Sequence, residues 1–276
     1  MDVLLPTRHS MVIHQSNAWQ RSQTVAWMAD ALSRGDKVLH RAVDDAMLAG
    51  LGPVAGTALD TGQLELVDAH QCHEETDGRH ERLRDLHIDL IARARADGYP
   101  GVLLTADDLA PRLLTPDPVE RLAHERDLEW LTSEPGVRVL CCYDVRVEHP
   151  ELLDAVAGVH YRSVDDILWS ARCAEGRLLV RGEIDADNAG RFGAVLTAAV
   201  ADGVTTADLA EVTILSAAGS RAFETAVDVL RDRAERLRLV NASPTLYRAL
   251  TLLRLGGDGL DLVARTESAD GLAKFD

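Results

Sequence analysis

The chain has 276 residues, of which 46% are hydrophobic and 27% charged, and its formal net charge is −16. This length favours two globular domains. So acidic a surface repels nucleic-acid phosphates and anionic membrane leaflets, which leaves basic protein faces and small molecules as partners. No apolar stretch reaches the roughly 18–20 residues that a membrane span needs, and the first residues do not resemble a secretory signal. The four scattered cysteines indicate reduced thiols and a cytoplasmic location.

The first part of the chain alternates helical and extended patterns. Ser16 or Asn17 can cap a helix that has Val25, Met28 and Leu32 on one face, and the strand KVLHRAV follows. A second helix is predicted over 44–59, and the strand LELVDA comes after it. These alternations indicate the start of an α/β domain.

The clearest helix lies in GRHERLRDLHIDLIARARADG, where Leu83, Leu86 and Leu90 repeat every three or four residues. A short buried strand, GVLLTA, comes next, followed by a helix over 117–131 and the buried strand VRVLCCY. Strands that alternate with helices predict right-handed βαβ units and a mostly parallel sheet.

A second, smaller series of elements begins between residues 160 and 175. A turn at Glu175 and Gly176 predicts a hairpin, and SADGLAKFD at the end of the sequence is expected to be frayed. The elements between them are predicted, in order, as the strand LLVRGEI, a helix over 187–200, a strand in TTADLAEVTIL, a helix over 217–234, the strand LRLVNA, a helix over 244–255 and the strand LDLV.

Four segments in the last third of the chain share their order and spacing with a known family. They are LLVRGEIDADNAGRF, DLAEVTILSAAGSRAF, RLRLVNASPTLYRALTLLRL and LDLV. The span from about Ile167 to Val263 therefore resembles the STAS domain of anti-sigma-factor antagonists. The resemblance implies a small sheet with helices on one side. It also implies a non-enzymatic function, which is to dock an anti-sigma factor or a similar regulator.

In that family, the turn after the second segment meets an anti-sigma kinase, and phosphorylation of a hydroxyl there releases the antagonist by adding charge. Here the acidic position of the family pattern is Ser216, its two hydroxyl positions are Ala217 and Ala218, Gly219 is retained and Ser220 replaces a leucine. Alanine cannot accept phosphate, so we expect a permanently docking-competent form. A phosphorylated Ser216 is the alternative, and the ordinary role of that serine is a helix N-cap. The predicted docking face consists of Asp185, Ser216, Ala217, Ala218, Gly219 and Ser220.

Two long segments of the first domain indicate a second family. HQSNAWQRSQTVAWMADALSRGDKVLHRAV lies near the start, and VRVLCCYDVRVEHPELLDAVAGVHYRSV contains an L-C-x-Y-D pattern and a late histidine, His160. They resemble the MEDS domain, a sensory domain named for methanogen and methylotroph regulators. The resemblance implies a RecA-like α/β fold and a small, often hydrocarbon-like ligand. We therefore interpret 1–165 as a MEDS-like sensory domain and 166–276 as a STAS domain.

Ligands of parallel α/β sheets bind at the carboxyl ends of the strands. We therefore predict that four residues near predicted strand ends, namely His14, His70, Asp107 and Tyr143, line the ligand pocket of the sensory domain. The early loop HQSNAWQRSQT has neither glycine nor the G-K-[ST] pattern, so ATP hydrolysis by a phosphate-binding loop is not expected. We expect no enzymatic activity and no cofactor or metal.

Other interpretations stay open. One is a nucleotide-dependent enzyme on the RecA-like domain, and a homodimer is also open. Cys141 or Cys142 with His160 would suit nucleophilic catalysis, but cysteines in a buried strand are typical of an inert core. A metal- or haem-binding sensor is the last alternative, although the spacing of its ligands matches no closed zinc pattern. Its ligands would come from His70, Cys72, His73, His80 and His87.

Overall fold

A computed structural model describes residues 8–42, 47–107, 110–231, 235–253 and 259–264. The chain divides into two compact units, residues 1–167 and 168–276. The strands are, in chain order, β1 (His9–His14), β2 (Lys37–Ala42), β3 (Leu64–Asp68), β4 (Val102–Ala106), β5 (Val137–Asp144), β6 (Ser163–Asp166), β7 (Trp169–Ala174), β8 (Arg177–Ile184), β9 (Thr206–Leu215), β10 (Leu237–Val240) and β11 (Leu260–Leu262). The helices are α1 (Asn17–Ser33), α2 (Leu48–Leu51), α3 (Pro53–Asp60), α4 (Ala69–Thr76), α5 (His80–Ala96), α6 (Ala110–Leu114), α7 (Pro118–Leu131), α8 (Pro150–Val159), α9 (Ala189–Ala201), α10 (Ala217–Arg231) and α11 (Pro244–Leu252).

The first unit is an α/β domain around a parallel sheet, which confirms the predicted fold class. Its strands follow the order β6-β1-β5-β4-β2-β3, and neighbouring strands pair in parallel. Every residue of β1 and β2 is buried, and β5 is buried except for Arg138. Strands covered on both faces read as near-continuous apolar runs, which is why KVLHRAV and VRVLCCY were recognisable.

Helices cover both faces of this sheet. On one face, α1, α2 and α3 enclose an apolar core in which Trp27 and Met28 pack with Val12 and Leu140. Because successive strand residues point to opposite faces, Cys142 joins this core while its neighbour Cys141 points toward α7. The opposite face is covered by α5, α7 and α8, and it contains the buried His9, His87, His124, Glu125 and His160.

Several elements differ from the prediction over the first unit. The helix predicted over 44–59 is the pair α2 and α3, because Gly52 between them has a φ of +60° that a helix cannot continue. The sequence analysis missed α4 and α8, and residues 43–46 lie outside the described ranges. Within those ranges, no helix combines the length and apolar character required to cross a bilayer.

The second unit is a smaller sheet in the order β7-β8-β9-β10-β11. The antiparallel hairpin of β7 and β8 turns at Glu175 and Gly176, whose φ values of +51° and +74° suit a tight two-residue turn. The strands β8 to β11 pair in parallel. Along β8, Leu178 and Val180 are buried whereas Leu179 is exposed, so one face of the sheet is covered. This arrangement confirms the predicted small sheet.

The helix predicted over 217–234 is observed as α10, and its last three predicted positions, 232–234, lie outside the described residues. The predicted frayed end, 268–276, also lies outside them. The helix predicted over 187–200 begins two residues later, because Asn188 is its N-cap. Trp169, Phe192 and Phe223 form an edge-to-face aromatic series that joins β7 to α9 and α10.

Candidate functional site

The turns that follow β8 and β9 lie side by side. Ile184 and Leu215 are paired in parallel register, and the next residue of each strand is Asp185 and Ser216 respectively. The Ser216 amide donates a 2.8 Å hydrogen bond to the Ile184 carbonyl, which ties the two turns together. The structure therefore brings these two predicted docking residues to the same edge of the sheet.

Both polar side chains at this edge are used by the turns themselves. The Ser216 hydroxyl accepts a 3.1 Å hydrogen bond from the Gly219 amide, so it caps α10. The Asp185 carboxylate accepts hydrogen bonds from the amides of Asp187 and Asn188 at 2.9 and 3.1 Å. The capping role proposed for Ser216 is therefore present in the structure.

The remaining predicted docking residues do not share one surface. Ala217 is exposed and Ala218 is half-buried, but Gly219 is buried and only 3% of Ser220 is accessible. The Ser220 hydroxyl donates to the Ser216 carbonyl at 3.0 Å. Gly219 and Ser220 therefore support the turn from inside the domain, and their predicted contact with a partner stays a prediction.

Gly219 allows the first turn of α10 to approach the sheet closely. A Cβ at this position would lie 2.6 Å from Ile184 Cγ2 and 2.8 Å from Leu215 Cδ1, closer than packed carbons approach each other. The solvent side of the same turn presents apolar side chains instead of hydroxyls. Ala217 is exposed there, and Ile214 before it is 50% exposed.

The predicted pocket residues of the sensory domain are not brought together. His14 ends β1, and the register of β1 with β5 places it on the face opposite to Tyr143. His70 is exposed on α4, and Asp107 accepts a 2.7 Å hydrogen bond from the Ala110 amide. None of the four is among the described residues that line the cavity of this unit.

A buried cluster with four potential metal ligands occupies the α7 face of the sheet. His9, Glu125, Cys141 and His160 are all buried, and their ligand atoms lie within 4.8 Å of one another. Oε2 of Glu125 is 3.3 Å from each histidine Nε2 and 3.2 Å from the Cys141 Sγ. The same sulfur is 3.5 Å from the His9 Nε2. His9 lies on β1, Glu125 on α7 and Cys141 on β5, and His160 directly follows α8.

Each ligand except Cys141 has a hydrogen-bonded partner behind it. The His9 Nδ1 lies 3.0 Å from the Glu129 carboxylate, and the His160 Nδ1 donates to the Val156 carbonyl at 2.8 Å. The Tyr143 hydroxyl donates a short hydrogen bond to Glu125. These contacts orient both imidazole rings so that each Nε2 faces the cluster.

Ionisation within the cluster is strongly perturbed. Burial opposes charge on Glu125, but the contacts with His160 and His9 outweigh it and hold the pKa of Glu125 well below its ordinary value. Burial also opposes charge on His9, yet Glu125 and Glu129 raise the pKa of this imidazole. Burial and the Glu125 charge raise the pKa of the Cys141 thiol well above its usual range. A protonated thiol is a poor nucleophile, so the cluster does not favour cysteine catalysis.

A cavity adjoins this cluster between the sheet and the helices α5 and α7. Its volume is about 40 Å³, which is enough for roughly three water molecules. Four of its side chains have buried polar atoms without a hydrogen-bond partner among the described residues: Nε and Nη2 of Arg41, both ring nitrogens of His87, Oγ1 of Thr105 and Nδ1 of His124. The lining is otherwise mostly apolar and is completed by Leu104, Ala106, Leu114, Glu125, Leu128, Val139, Leu140 and Cys141.

The two cavity histidines are neutral at physiological pH. Burial lowers the pKa of His124 to about 4, and the nearby Arg41 charge adds to this effect. Burial and Arg41 also lower the pKa of His87 well below its ordinary value. The rings are stacked with centroids 5.4 Å apart. The cavity therefore combines one buried guanidinium and two neutral imidazoles with the Glu125 carboxylate, which His9 and His160 contact at 3.3 Å.

The metal ligands suggested by the histidine-rich segment are dispersed. Cys72 packs in an apolar cluster, His80 contacts Asp127 at 2.8 Å, and His87 lines the cavity. The sequence favoured an inert core position over a catalytic role for Cys141, and neither His9 nor Glu125 was singled out. The available indication was polar residues at core positions of an amphipathic helix: Arg121, His124 and Glu125 occupy the buried face of α7.

Two family models match the chain. The model described as MEDS, the methanogen/methylotroph, DcmR sensory domain, matches residues 8–161. The model of the STAS domain matches residues 173–266. No curated protein gives a significant match. The two matches confirm the domain types and their order as predicted from the sequence.

Proposed function

Because this chain belongs to the MEDS family and has a STAS domain after its MEDS domain, we propose that it is a regulator whose STAS domain docks an anti-sigma factor or a similar protein without a phosphorylation switch. The two domain types identify a sensory and regulatory protein of the anti-sigma-factor-antagonist kind. The docking partner and the loss of the switch are the parts that require a test.

The observation that supports this proposal is the chemistry of the turn between β9 and α10. Its exposed positions, Ile214 and Ala217, present only apolar groups. Its two hydroxyls belong to Ser216 and Ser220, and both are hydrogen-bonded within the turn. A kinase would therefore have to break the cap of α10 to reach Ser216, at a cost of about 1 kcal/mol, and Ser220 is buried.

The docking surface is tested by charge substitution at its exposed alanine. We expect Ala217→Glu to reduce capture of the partner from a native lysate at least tenfold, with the full chain as bait. The substitution imitates part of the charge of a phosphate. It also leaves α10 intact, because an acidic residue suits a helix N-terminus.

The matched control is Ala201→Glu at the exposed last residue of α9, which should capture the same partner as the wild-type chain. Equal capture by Ala217→Glu would place the docking surface elsewhere. Phosphopeptide mapping of the chain from its native cell should find no phosphate on Ser216. A phosphate there would restore the switch and contradict the proposal.

We further propose that the sensory ligand is a small carboxylate or similar anion in the cavity of the first unit. Nε and Nη2 form the edge of a guanidinium that binds a carboxylate with two parallel hydrogen bonds, and both atoms of Arg41 lack a partner among the described residues. His87 and His124, when neutral, can each donate one further hydrogen bond. Among the described residues, Arg41 has a contact with the Cys72 thiol but no ion pair, and a buried charge without a counterion is costly, so an anion would relieve it. The apolar remainder of the lining suits a short hydrocarbon tail.

Acetate and its neutral isostere acetamide distinguish this proposal from nonspecific filling of a cavity. Calorimetric titration of the full chain should show binding of acetate and none of acetamide, and Arg41→Met should abolish the response. Equal binding of both compounds, or an unchanged response in Arg41→Met, would exclude the guanidinium as the anchor.

The chain is proposed to act in the cytoplasm and without catalysis. Its four cysteines are all free thiols, which suits a reducing compartment. The early loop lacks the residues that hold nucleotide phosphates, and the buried Cys141 is poorly suited to nucleophilic attack. Turnover of ATP by the purified chain, lost in a variant of the sensory unit, would refute this part.

A further inference from the structure

We propose that His9, Glu125, Cys141 and His160 form a closed tetrahedral site for a dication of the Zn²⁺ type inside the sensory unit. This site is separate from the proposed docking surface of the STAS domain, and neither proposal depends on the other. Thiolate, imidazole and carboxylate are the ligands that Zn²⁺ takes in proteins, and four protein ligands are typical of a structural site.

Four of the six ligand–ligand distances within the cluster are close to the edges of a metal tetrahedron. With metal bonds of about 2.0–2.1 Å to nitrogen and oxygen and about 2.3 Å to sulfur, the edges of a tetrahedron are about 3.3 Å for N–O pairs and about 3.5 Å for pairs that include sulfur. Both Nε2–Oε2 distances are 3.3 Å, and the Nε2–Sγ distance of His9 and Cys141 is 3.5 Å. The Sγ–Oε2 distance of 3.2 Å is slightly shorter.

Hydrogen bonds on the far side of the same rings provide an internal comparison. The Nδ1 contacts of His9 and His160 are 3.0 and 2.8 Å long, within the usual hydrogen-bond range. The Nε2 atom of His160 is completely buried, and its contact in the described part of the chain is Glu125 Oε2 at 3.3 Å, which is longer than a good hydrogen bond. A buried nitrogen of this kind needs a partner, and a metal ion supplies one.

The protonation of the rings also suits metal binding. A carbonyl oxygen only accepts, so the His160 Nδ1 must hold the hydrogen that it donates to Val156. In the neutral ring, Nε2 then has a lone pair that points into the cluster. His9 has the equivalent arrangement with the Glu129 carboxylate. Such outer partners fix the tautomer and the orientation of metal-bound histidines.

Charge balance favours a dication at this buried position. A thiolate from Cys141 and a carboxylate from Glu125 contribute two negative charges, and the two neutral imidazoles contribute none. Binding of a dication therefore gives a neutral unit, for which burial has no net ionic penalty. When the metal binds, the Cys141 thiol proton and any proton on the His9 Nε2, which faces Glu125, leave to solvent, since only the thiolate and the neutral imidazole are ligands. All four positions are taken by protein atoms, so the site would tie β1, β5, α7 and α8 together and not perform hydrolysis.

The test begins with the full chain purified under reducing conditions and without a histidine tag. Elemental analysis should find close to one zinc per chain. After removal of the metal with a chelator, added Co²⁺ should produce the strong visible bands of a tetrahedral site and a near-ultraviolet thiolate-to-metal band. A stripped, folded chain that takes up neither Co²⁺ nor Zn²⁺ would overturn the proposal.

Adjacent cysteines provide a matched pair of variants. Cys141→Ser should abolish the thiolate-to-metal band, whereas Cys142→Ser should keep it, because Cys142 lies in the apolar core on the opposite face. Glu129→Gln keeps all four ligands and should weaken Zn²⁺ binding ten- to a hundredfold, as loss of an outer partner commonly does. A thiolate band that survives in Cys141→Ser, or unchanged Zn²⁺ affinity in Glu129→Gln, would contradict the assignment. If Cys141→Ser fails to fold, the wild-type chain and Glu129→Gln decide.

Discussion

Two glycines on adjacent helices of the second unit provide a controlled test of how the docking turn is packed. Gly219 lies in the first turn of α10, where an added Cβ would meet Ile184 Cγ2 at 2.6 Å and Leu215 Cδ1 at 2.8 Å. Gly193 lies in α9, where an added Cβ would meet only the Ala222 Cβ at 3.5 Å, an ordinary contact. Both positions are helical, so the two alanine substitutions differ mainly in packing.

The free energies of the two variants follow from two terms. Alanine in place of glycine favours a helix by about 1 kcal/mol, and this term is similar at both positions. Overpacking of a filled site costs about 1–3 kcal/mol, and this term applies only to Gly219→Ala. We therefore expect Gly193→Ala to stabilise the unit by up to about 1 kcal/mol, and Gly219→Ala to be less stable than Gly193→Ala by about 1–3 kcal/mol.

The assay must follow the second unit separately, because a two-domain chain need not unfold in one transition. Hydrogen exchange of peptides from α9 and α10 over a urea series gives the unfolding free energy of this unit for each variant. A Gly219→Ala chain as stable as Gly193→Ala would show that the turn can yield. The close approach of α10 to Ile184 and Leu215 would then not fix the position of the proposed docking surface.

Two further predictions concern the first unit. Asp117 caps α7 through hydrogen bonds from two amides at 2.7 and 3.3 Å, so Asp117→Ala should lower the unfolding free energy by about 1 kcal/mol. The control Asp85→Ala, on the exposed surface of α5, should change it by less than about 0.5 kcal/mol. Equal losses for the two variants in urea unfolding would contradict the capping role. Hydrogen bonds from Arg146 lower the pKa of Asp144, so the ionised carboxylate stabilises the fold above the usual carboxyl range and this contribution is lost as the pH falls through the lowered pKa. The melting temperature of Arg146→Met should therefore lie below that of the wild-type chain at pH 7, and the gap should close in acid; a gap independent of pH would refute this coupling.

The parts of the fold that the sequence predicts are those with local, periodic patterns. α5 was recognisable because Leu83 and Leu90 repeat on one face, and both are buried. The missed helix α8 has the same kind of pattern, with Leu153, Val156 and Ala157 buried, but it follows directly on a strand and a turn. The missed α4 is short and polar, so its sequence lacks an apolar stripe. An apolar stripe was therefore necessary for a helix to be recognised but not sufficient, since α8 has one and was missed.

The candidate sites depend on contacts that no local pattern reveals. Cys141 and His9 meet although they are 132 residues apart in the chain. Strand alternation could have separated Cys141 from Cys142, since neighbours in a strand face opposite ways. It could not have shown that Glu125 lies over Cys141, because that contact depends on how α7 packs on the sheet. The turn between β9 and α10 was recognised from a local pattern, but the burial of Ser220 depends on the packing of α10.

Control of docking without a phosphoryl group has to come from a difference in binding free energy. Reversal of an equilibrium from 1:99 to 99:1 requires a ligand to prefer one state by about 5.5 kcal/mol. Hydrogen bonds to charged groups are worth about 1.5–3 kcal/mol each, so two or three bonds from an anion to Arg41 and the cavity histidines, made in one state only, reach that value. The proposed metal site would be closed in both states and would add stability without this preference. The cavity is therefore the proposed source of the regulatory signal. Acetate should change the amount of partner captured by the wild-type chain but not the amount captured by Arg41→Met. If acetate leaves capture unchanged in both chains, binding in the cavity does not control docking.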